Sequence, residues 1–171
     1  DMLYAYMVRS TVSRGKIKAI HLPEMPEGYY FISARDIPAK GKNELWMIMK
    51  DWRCFADEYV LYYGETIGLV VGPDRTVLKD LKAQIKIDYE EMTPAVTIDD
   101  AINCVGGPFF PEKNSNVMCE LFCEKGRPMD EVFAEADEIF EETIETPYQE
   151  HVHLETNGAI VDMEDGKFVF Y

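Results

Sequence analysis

Glu58-Tyr59-Val60-Leu61-Tyr62-Tyr63-Gly64-Glu65-Thr66-Ile67-Gly68-Leu69-Val70-Val71-Gly72-Pro73-Asp74 and the residues that follow to Glu90 decide the fold. Glu58 to Tyr63 reads as extended, Gly64-Glu65 as a turn, and Ile67 to Val71 as a short continuous apolar strand. Gly72-Pro73-Asp74 then starts a helix. Pro73 suits a first helical turn, and Val77, Leu78, Leu81 and Ile85 recur at helical spacing, which predicts a helix ending near Ile85. Lys86 to Glu90 alternates and reads as a returning strand. Strand, helix, strand with connections this short is the pattern of an α/β layer with the helix on one face of the sheet.

Working outward, Leu3 to Val8 and Lys16 to Leu22 are rich in aromatic and β-branched residues, and Ser13-Arg14-Gly15 between them is a turn signal, so the chain is expected to open with a hairpin. Pro23 to Gly28 cannot be helix. Tyr29 to Ser33 reads as a strand, Ala34 to Pro38 as a turn, and Lys40 to Asn43 as a surface loop. Asn103 to Asn116 carries clustered Gly, Pro and Asn, with Gly106-Gly107-Pro108 as a turn, and marks a boundary. Asn116 to Lys125 reads as a strand and Gly126-Arg127-Pro128 as a turn. Val132, Phe133, Ala136, Ile139, Phe140 and Ile144 sit at helical spacing, yet the β-branched and aromatic content of Ile139 to Thr146 is compatible with a strand; Pro147 ends either element. Gly158 to Val161 and Lys167 to Tyr171 around Glu164-Asp165-Gly166 read as a β-hairpin. The chain begins at Asp1 without a methionine, and is expected to be an excised or recombinant portion of a longer polypeptide.

With 171 residues, 47% of them apolar, the chain has a globular composition and can bury roughly 70% of its unfolded surface. The formal net charge of −15 and pI near 4.5 give a surface that repels phosphates and anionic lipid heads, against nucleic-acid and membrane-surface partners. No apolar run approaches the ~18 residues of a span, and no signal peptide opens the sequence, so a cytoplasmic location is expected. Cys54, Cys104, Cys119 and Cys123 match neither a disulfide scaffold nor a zinc ribbon nor an iron–sulfur ligand set, and read as buried reduced thiols. Gly64, Gly68 and Gly72 bound strands and form no G-x-G-x-x-G turn into a helix, so they do not signal a dinucleotide site.

One further motif stands near the end, Tyr148-Gln149-Glu150-His151-Val152-His153-Leu154-Glu155-Thr156. It resembles the Gly-Gln-Glu-His-aromatic-aromatic-Leu-Glu run of the molybdenum hydroxylases, the xanthine dehydrogenase and aldehyde oxidase family. Tyr63 to Gly72 resembles the family's Gly-Gln-Pro-Ile-Gly-Val-Val-Val-Ala, and Ile87 to Met92 its Val-Glu-Tyr-Glu-Pro-Leu. Thr97 to Ile102 matches the short helix that follows, and Met7-Val8-Arg9-Ser10 and Ala34 to Pro38 resemble positions near the start. Tyr148 stands where the family often has a small residue, and Val152-His153 replaces an aromatic pair.

The resemblance covers nearly the whole chain. It implies an α+β fold of the α/β-hammerhead type: a mixed sheet with a helix packed on one face, followed by strands of a second, truncated domain. The domains expected are the hammerhead over 1–104, a linker with a short strand over 105–128, and the start of a molybdopterin-binding domain over 129–171. In that second domain the family has a short helix ending near Ala136-Asp137 and then a long strand through the Gln149 motif, and that arrangement is the one expected here.

The same resemblance implies that Gln149 lies beside the molybdenum centre. A neutral amide suits that place, because a carboxylate would repel an electron-rich oxo group and compete as a ligand. Relatives hydroxylate purines, other N-heterocycles or aldehydes with oxygen derived from water. The complete enzyme is expected to hold molybdopterin with molybdenum, in the cytosine dinucleotide form, and to pass electrons through 2Fe-2S clusters and FAD in partner subunits or domains. The family's glutamate base lies downstream of this chain, so no catalytic residue is assigned here and the isolated piece is expected to be inactive. Its partners are then the remainder of the molybdenum-binding subunit, the iron–sulfur and FAD components, and a small-molecule substrate. Glu150 and Glu155 read as structural or surface carboxylates.

Two other readings use the same residues. On a strand, His151, His153 and Glu155 would project from one face at i, i+2, i+4, the arrangement of a two-histidine, one-carboxylate zinc or iron site in a small metal-binding protein. Alternatively the hammerhead is a non-catalytic domain that docks its neighbours.

Overall fold

The computed structural model describes residues 2–38, 43–46, 52–109, 113–152, 154–155 and 158–171. The expected Lys40–Asn43 loop falls largely outside them. In chain order the strands are β1 (Tyr4–Arg9), β2 (Gly15–His21), β3 (Tyr30–Ser33), β4 (Glu44–Leu45), β5 (Trp52–Arg53), β6 (Tyr59–Val60), β7 (Thr66–Gly72), β8 (Lys86–Glu91), β9 (Val161–Glu164) and β10 (Lys167–Phe170). The helices are α1 (Arg75–Gln84), α2 (Ile98–Ile102) and α3 (Met129–Ala134). The chain divides into two compact units, Asp1–Leu121 and Phe122–Tyr171.

In the first unit β7 is the centre, as its apolar run predicts. It pairs antiparallel with β1 on one side and β3 on the other. Its two faces serve two cores. Val70 packs with Val8 and Leu78, and Ile67 packs with Ala56 and Val60; all but Val8 and Ala56 are fully buried. Gly68 and Gly72 share the Val70 face, and a Cβ at either would strike the rings of Phe31 and Tyr29 that cover it. Glycine there is a packing requirement of a strand flanked by aromatics.

α1 lies on β1 and β7 and buries Leu78 and Leu81. Its N-cap is Asp74, whose carboxylate accepts from the Thr76 and Val77 amides at 2.7 and 3.0 Å, so Pro73 precedes the helix and does not open it. The helix on one sheet face is as expected, but β7 and β8 go to different sheets. β8 pairs with β2, which also pairs with β6, in a second three-stranded sheet. Every pairing among the described residues is antiparallel. The α+β class holds, with the described strands in small antiparallel sheets where a mixed sheet was expected.

The expected opening hairpin does not form: β1 pairs with β7, and β2 with β6 and β8. The bend at Ser10–Arg14 carries the chain from one sheet to the other, and Ser10 is held at the crossing by its amide on the Glu65 carbonyl at 2.8 Å and its carbonyl on the Gly64 amide at 3.0 Å. Asn116 to Lys125 also forms no strand. A strand is stable only as part of a ladder, and this segment pairs with nothing among the described residues.

The second unit contains α3 and the hairpin of β9 and β10. Asp165 and Gly166 both have positive φ, 50° and 75°, the I′ turn that Asp-Gly favours, and the ladder extends through reciprocal bonds between Ile160 and Tyr171. Val161, Met163, Phe168 and Phe170 share one face of this hairpin and are exposed. α3 ends at Ala134, short of the Ile144 that periodicity alone allows. Val132, Phe133 and Ile139 are exposed, and without a packed face a helix this short gains nothing from extension. The long strand expected from there through Gln149 is likewise absent among the described residues: 138–152 pairs with no strand.

Candidate functional site

Gln149 sits on the unpaired segment between α3 and β9, just after Pro147 and Tyr148. Pro147 has no amide to give to a ladder, which marks a break in any pairing at that point. Gln149 is exposed, as are Tyr148, Glu150, Val152 and Leu154. The segment thus presents one neutral carboxamide flanked by large apolar groups and one carboxylate, a surface that can donate and accept hydrogen bonds without carrying net charge at Gln149 itself.

The two-histidine arrangement is not favoured. It needs extended backbone between His151 and Glu155, and Val152 has a φ of 46°, in the left-handed region that β-branched residues rarely enter. His153 lies outside the described residues. Among the described residues no group of three or more His, Cys, Asp or Glu could hold a metal ion.

All four cysteines are free thiols, but they are not the buried set expected. Cys54 and Cys104 are half-buried, and Cys119 and Cys123 are exposed on the unpaired stretch that follows Asn116. No helix among the described residues is long and apolar enough to cross a membrane.

Two arginines escaped the sequence reading. Arg53 pairs with the buried Glu65, and Arg14, placed in a turn by its neighbours Ser13 and Gly15, is only 6% exposed. Burial lowers the Arg14 guanidinium from its ordinary range, because desolvation penalises the charged form. Its signal in the sequence was slight: a cation flanked by two small residues, which suits a turn as well as a buried contact.

Residues 1–93 match the family described as aldehyde oxidase and xanthine dehydrogenase, a/b hammerhead domain. Residues 109–171 match the molybdopterin cofactor-binding domain, which places Gln149 inside that match. The chain is 31% identical to a xanthine dehydrogenase of Blastobotrys adeninivorans over 98% of its own length and 12% of the relative's. It is 32% identical to a xanthine dehydrogenase/oxidase of Gallus gallus over 99% of its length and 12% of that protein. In structure it resembles a Cu,Mo-CO dehydrogenase with a TM-score of 0.54 and 27% identity, over 59% of this chain and 13% of that one. The chain therefore spans about an eighth of the length of the relatives it matches.

Proposed function

This chain belongs to the aldehyde oxidase and xanthine dehydrogenase family, and on that footing we propose that it is the opening part of a molybdenum-binding subunit or domain in which Gln149 donates a hydrogen bond to the cofactor. The complete enzyme hydroxylates a purine, another N-heterocycle or an aldehyde with oxygen from water. The observation that carries this reading is the place of Gln149: a neutral, exposed carboxamide within the 109–171 match to the cofactor-binding domain.

The residues present fit the group by donor chemistry. The Gln149 amide offers two N–H donors and no charge, so it can hold an electron-rich oxygen without repelling it. When bound, the molybdenum–molybdopterin group supplies two-electron oxidation and oxygen transfer. Within this chain Gln149 orients and holds. Tyr148, Val152 and Leu154 are exposed apolar groups beside it, suited to excluding water once covered. No side chain here serves as acid or base, and the chain by itself is inactive.

Finer features of the same reading are the cytosine dinucleotide form of the pterin, 2Fe-2S clusters and FAD in partner subunits or domains, and a cytoplasmic location. The division into a hammerhead over 1–104, a linker over 105–128 and the start of the cofactor-binding domain over 129–171 goes with it. A docking role for the hammerhead is compatible with all of these.

The test is expression of the complete protein with its partners, elemental analysis for molybdenum, and turnover of xanthine and of an aldehyde by wild type and Gln149→Ala. Stoichiometric molybdenum with turnover that falls in the variant supports the reading. Molybdenum-free protein, or a variant as active as wild type, overturns it.

A further inference from the structure

Arg14 is a buried cation with no acidic partner among the described residues. Its Nη1 donates to the Val105 carbonyl at 3.3 Å and its Nη2 to the Gly107 carbonyl at 3.1 Å, and its guanidinium carbon lies 4.5 Å from the centre of the Phe109 ring. The base of this fork is firm. The Arg14 carbonyl accepts from the Met92 amide at 3.0 Å just beyond β8, and Gly15 begins β2 packed closely enough on Glu90 that a Cβ there would lie 3.0 Å from the Glu90 carbonyl oxygen.

The turn it grips is equally determined. Cys104, Gly106 and Gly107 have φ of 50°, 73° and 97°, and a Cβ on Gly106 would collide with the Thr93 carbonyl. The Val105 amide donates to the Asp100 carbonyl at 2.9 Å and the Gly107 amide to the Cys104 carbonyl at 2.8 Å, so the two residues whose carbonyls take the arginine are also pinned through their amides. Beyond the turn, Asn116 accepts from the Phe109 amide at 2.6 Å and donates to the Ala101 carbonyl at 2.8 Å.

A charge buried without a counter-ion is a poor device for stability, since an apolar side chain of similar volume would fill the space without the desolvation cost. What the planar fork adds is direction: two carbonyls and a ring held in one geometry that no apolar group or lysine reproduces. The residues so held lie where the hammerhead match ends, at 93, and the cofactor-binding match begins, at 109.

We propose that Arg14 is a positioning residue that fixes the path by which the chain leaves the hammerhead for the molybdopterin-binding region, so that its loss loosens cofactor retention more than it loosens the fold. This rests on the function proposed above.

The experiment uses the complete enzyme with Arg14→Met and Arg14→Lys. Three readouts are taken: hydrogen exchange of the Val105, Gly107 and Phe109 amides, the rate of molybdenum loss on dialysis, and the melting temperature. In Arg14→Met the Val105, Gly107 and Phe109 amides lose protection and molybdenum leaves about five-fold faster or more, as a modest coupling between two sites predicts, while the melting temperature stays near that of wild type. Arg14→Lys, which keeps charge but cannot bridge both carbonyls, falls between the two.

Unchanged molybdenum retention despite lost protection overturns the proposal, as does a melting temperature that falls in step with molybdenum. Unchanged protection overturns the latch itself. Wild-type protein without molybdenum overturns the functional reading, and with it the coupling to cofactor, while the exchange data still report separately on the latch.

Discussion

Glu65 is held at both carboxylate oxygens: Arg53 donates to Oε1 at 2.6 Å, and the Leu61 amide donates to Oε2 at 2.6 Å. Arg53 in turn reaches Asp57 at 3.1 Å and the Tyr59 carbonyl at 3.0 Å. The pair ties the short β5 and β6 to the turn that leads into β7, whose Ile67 and Val70 supply both cores.

Glu65→Ala should destabilise the chain by about 3 kcal/mol, because it leaves a mostly buried guanidinium without its nearest counter-ion. The double variant Arg53→Met, Glu65→Leu should recover most of that loss. Denaturant unfolding of the full chain measures both, and a double variant as unstable as Glu65→Ala would show that the ion pair carries net stability.

Leu78 is fully buried between α1 and the Val70 face. Leu78→Ala should cost about 2–5 kcal/mol, the range for a cavity in a packed core. A thermal melt unchanged within error would mean that α1 does not pack as described.

The Tyr89 hydroxyl is buried beside the Ala56, Val60 and Ile67 cluster with no hydrogen-bond partner among the described residues. Removing an unsatisfied polar group relieves its desolvation cost, so Tyr89→Phe should raise stability by up to about 1 kcal/mol. A destabilised variant would reveal a partner for the hydroxyl.

Asp100 accepts from the Thr97 and Val96 amides at 3.0 and 3.1 Å and caps α2. These bonds, that from the Thr97 backbone first, hold its carboxyl below the ordinary 3.8. The stabilisation is therefore complete above that value and is lost as pH falls through the lower folded-state value. Hydrogen exchange at Val96 and Thr97, followed from pH 5 downward with correction for intrinsic rates, should show protection failing only in the acid range. Asp100→Asn should show weak protection throughout.

The central strand, α1, β8 and the Asp-Gly hairpin were legible because each is written locally: an apolar run, a 3.6-residue period, an alternation, a two-residue turn. The partners of β1 and β2 were not. A bend of five residues looks the same whether the chain returns on itself or crosses between sheets, and the choice is made by β7 and β8, more than fifty residues on. The segment from Asn116 to Lys125 and that from Ile139 to Thr146 have strand composition but no ladder among the described residues, since composition says what a strand would bury and not whether a neighbour is there. At the site, Gln149 drew its meaning from the surrounding motif alone, as a single exposed glutamine has no distinguishing physical signature. Arg14 and Glu65 went unread because burial of a charge depends on distant backbone.

The one-sided hairpin of β9 and β10 also governs how this polypeptide behaves in a test tube. Val161, Met163, Phe168 and Phe170 form a bare oily strip on a chain of net charge −15, so dilute copies repel one another while each carries an adhesive face. Salt shortens the reach of that repulsion from about 10 Å at 0.1 M to about 3 Å at 1 M and leaves the adhesion intact. Concentrated salt should therefore drive the isolated chain into reversible clusters, and low-salt buffers well above its isoelectric point should keep it monodisperse.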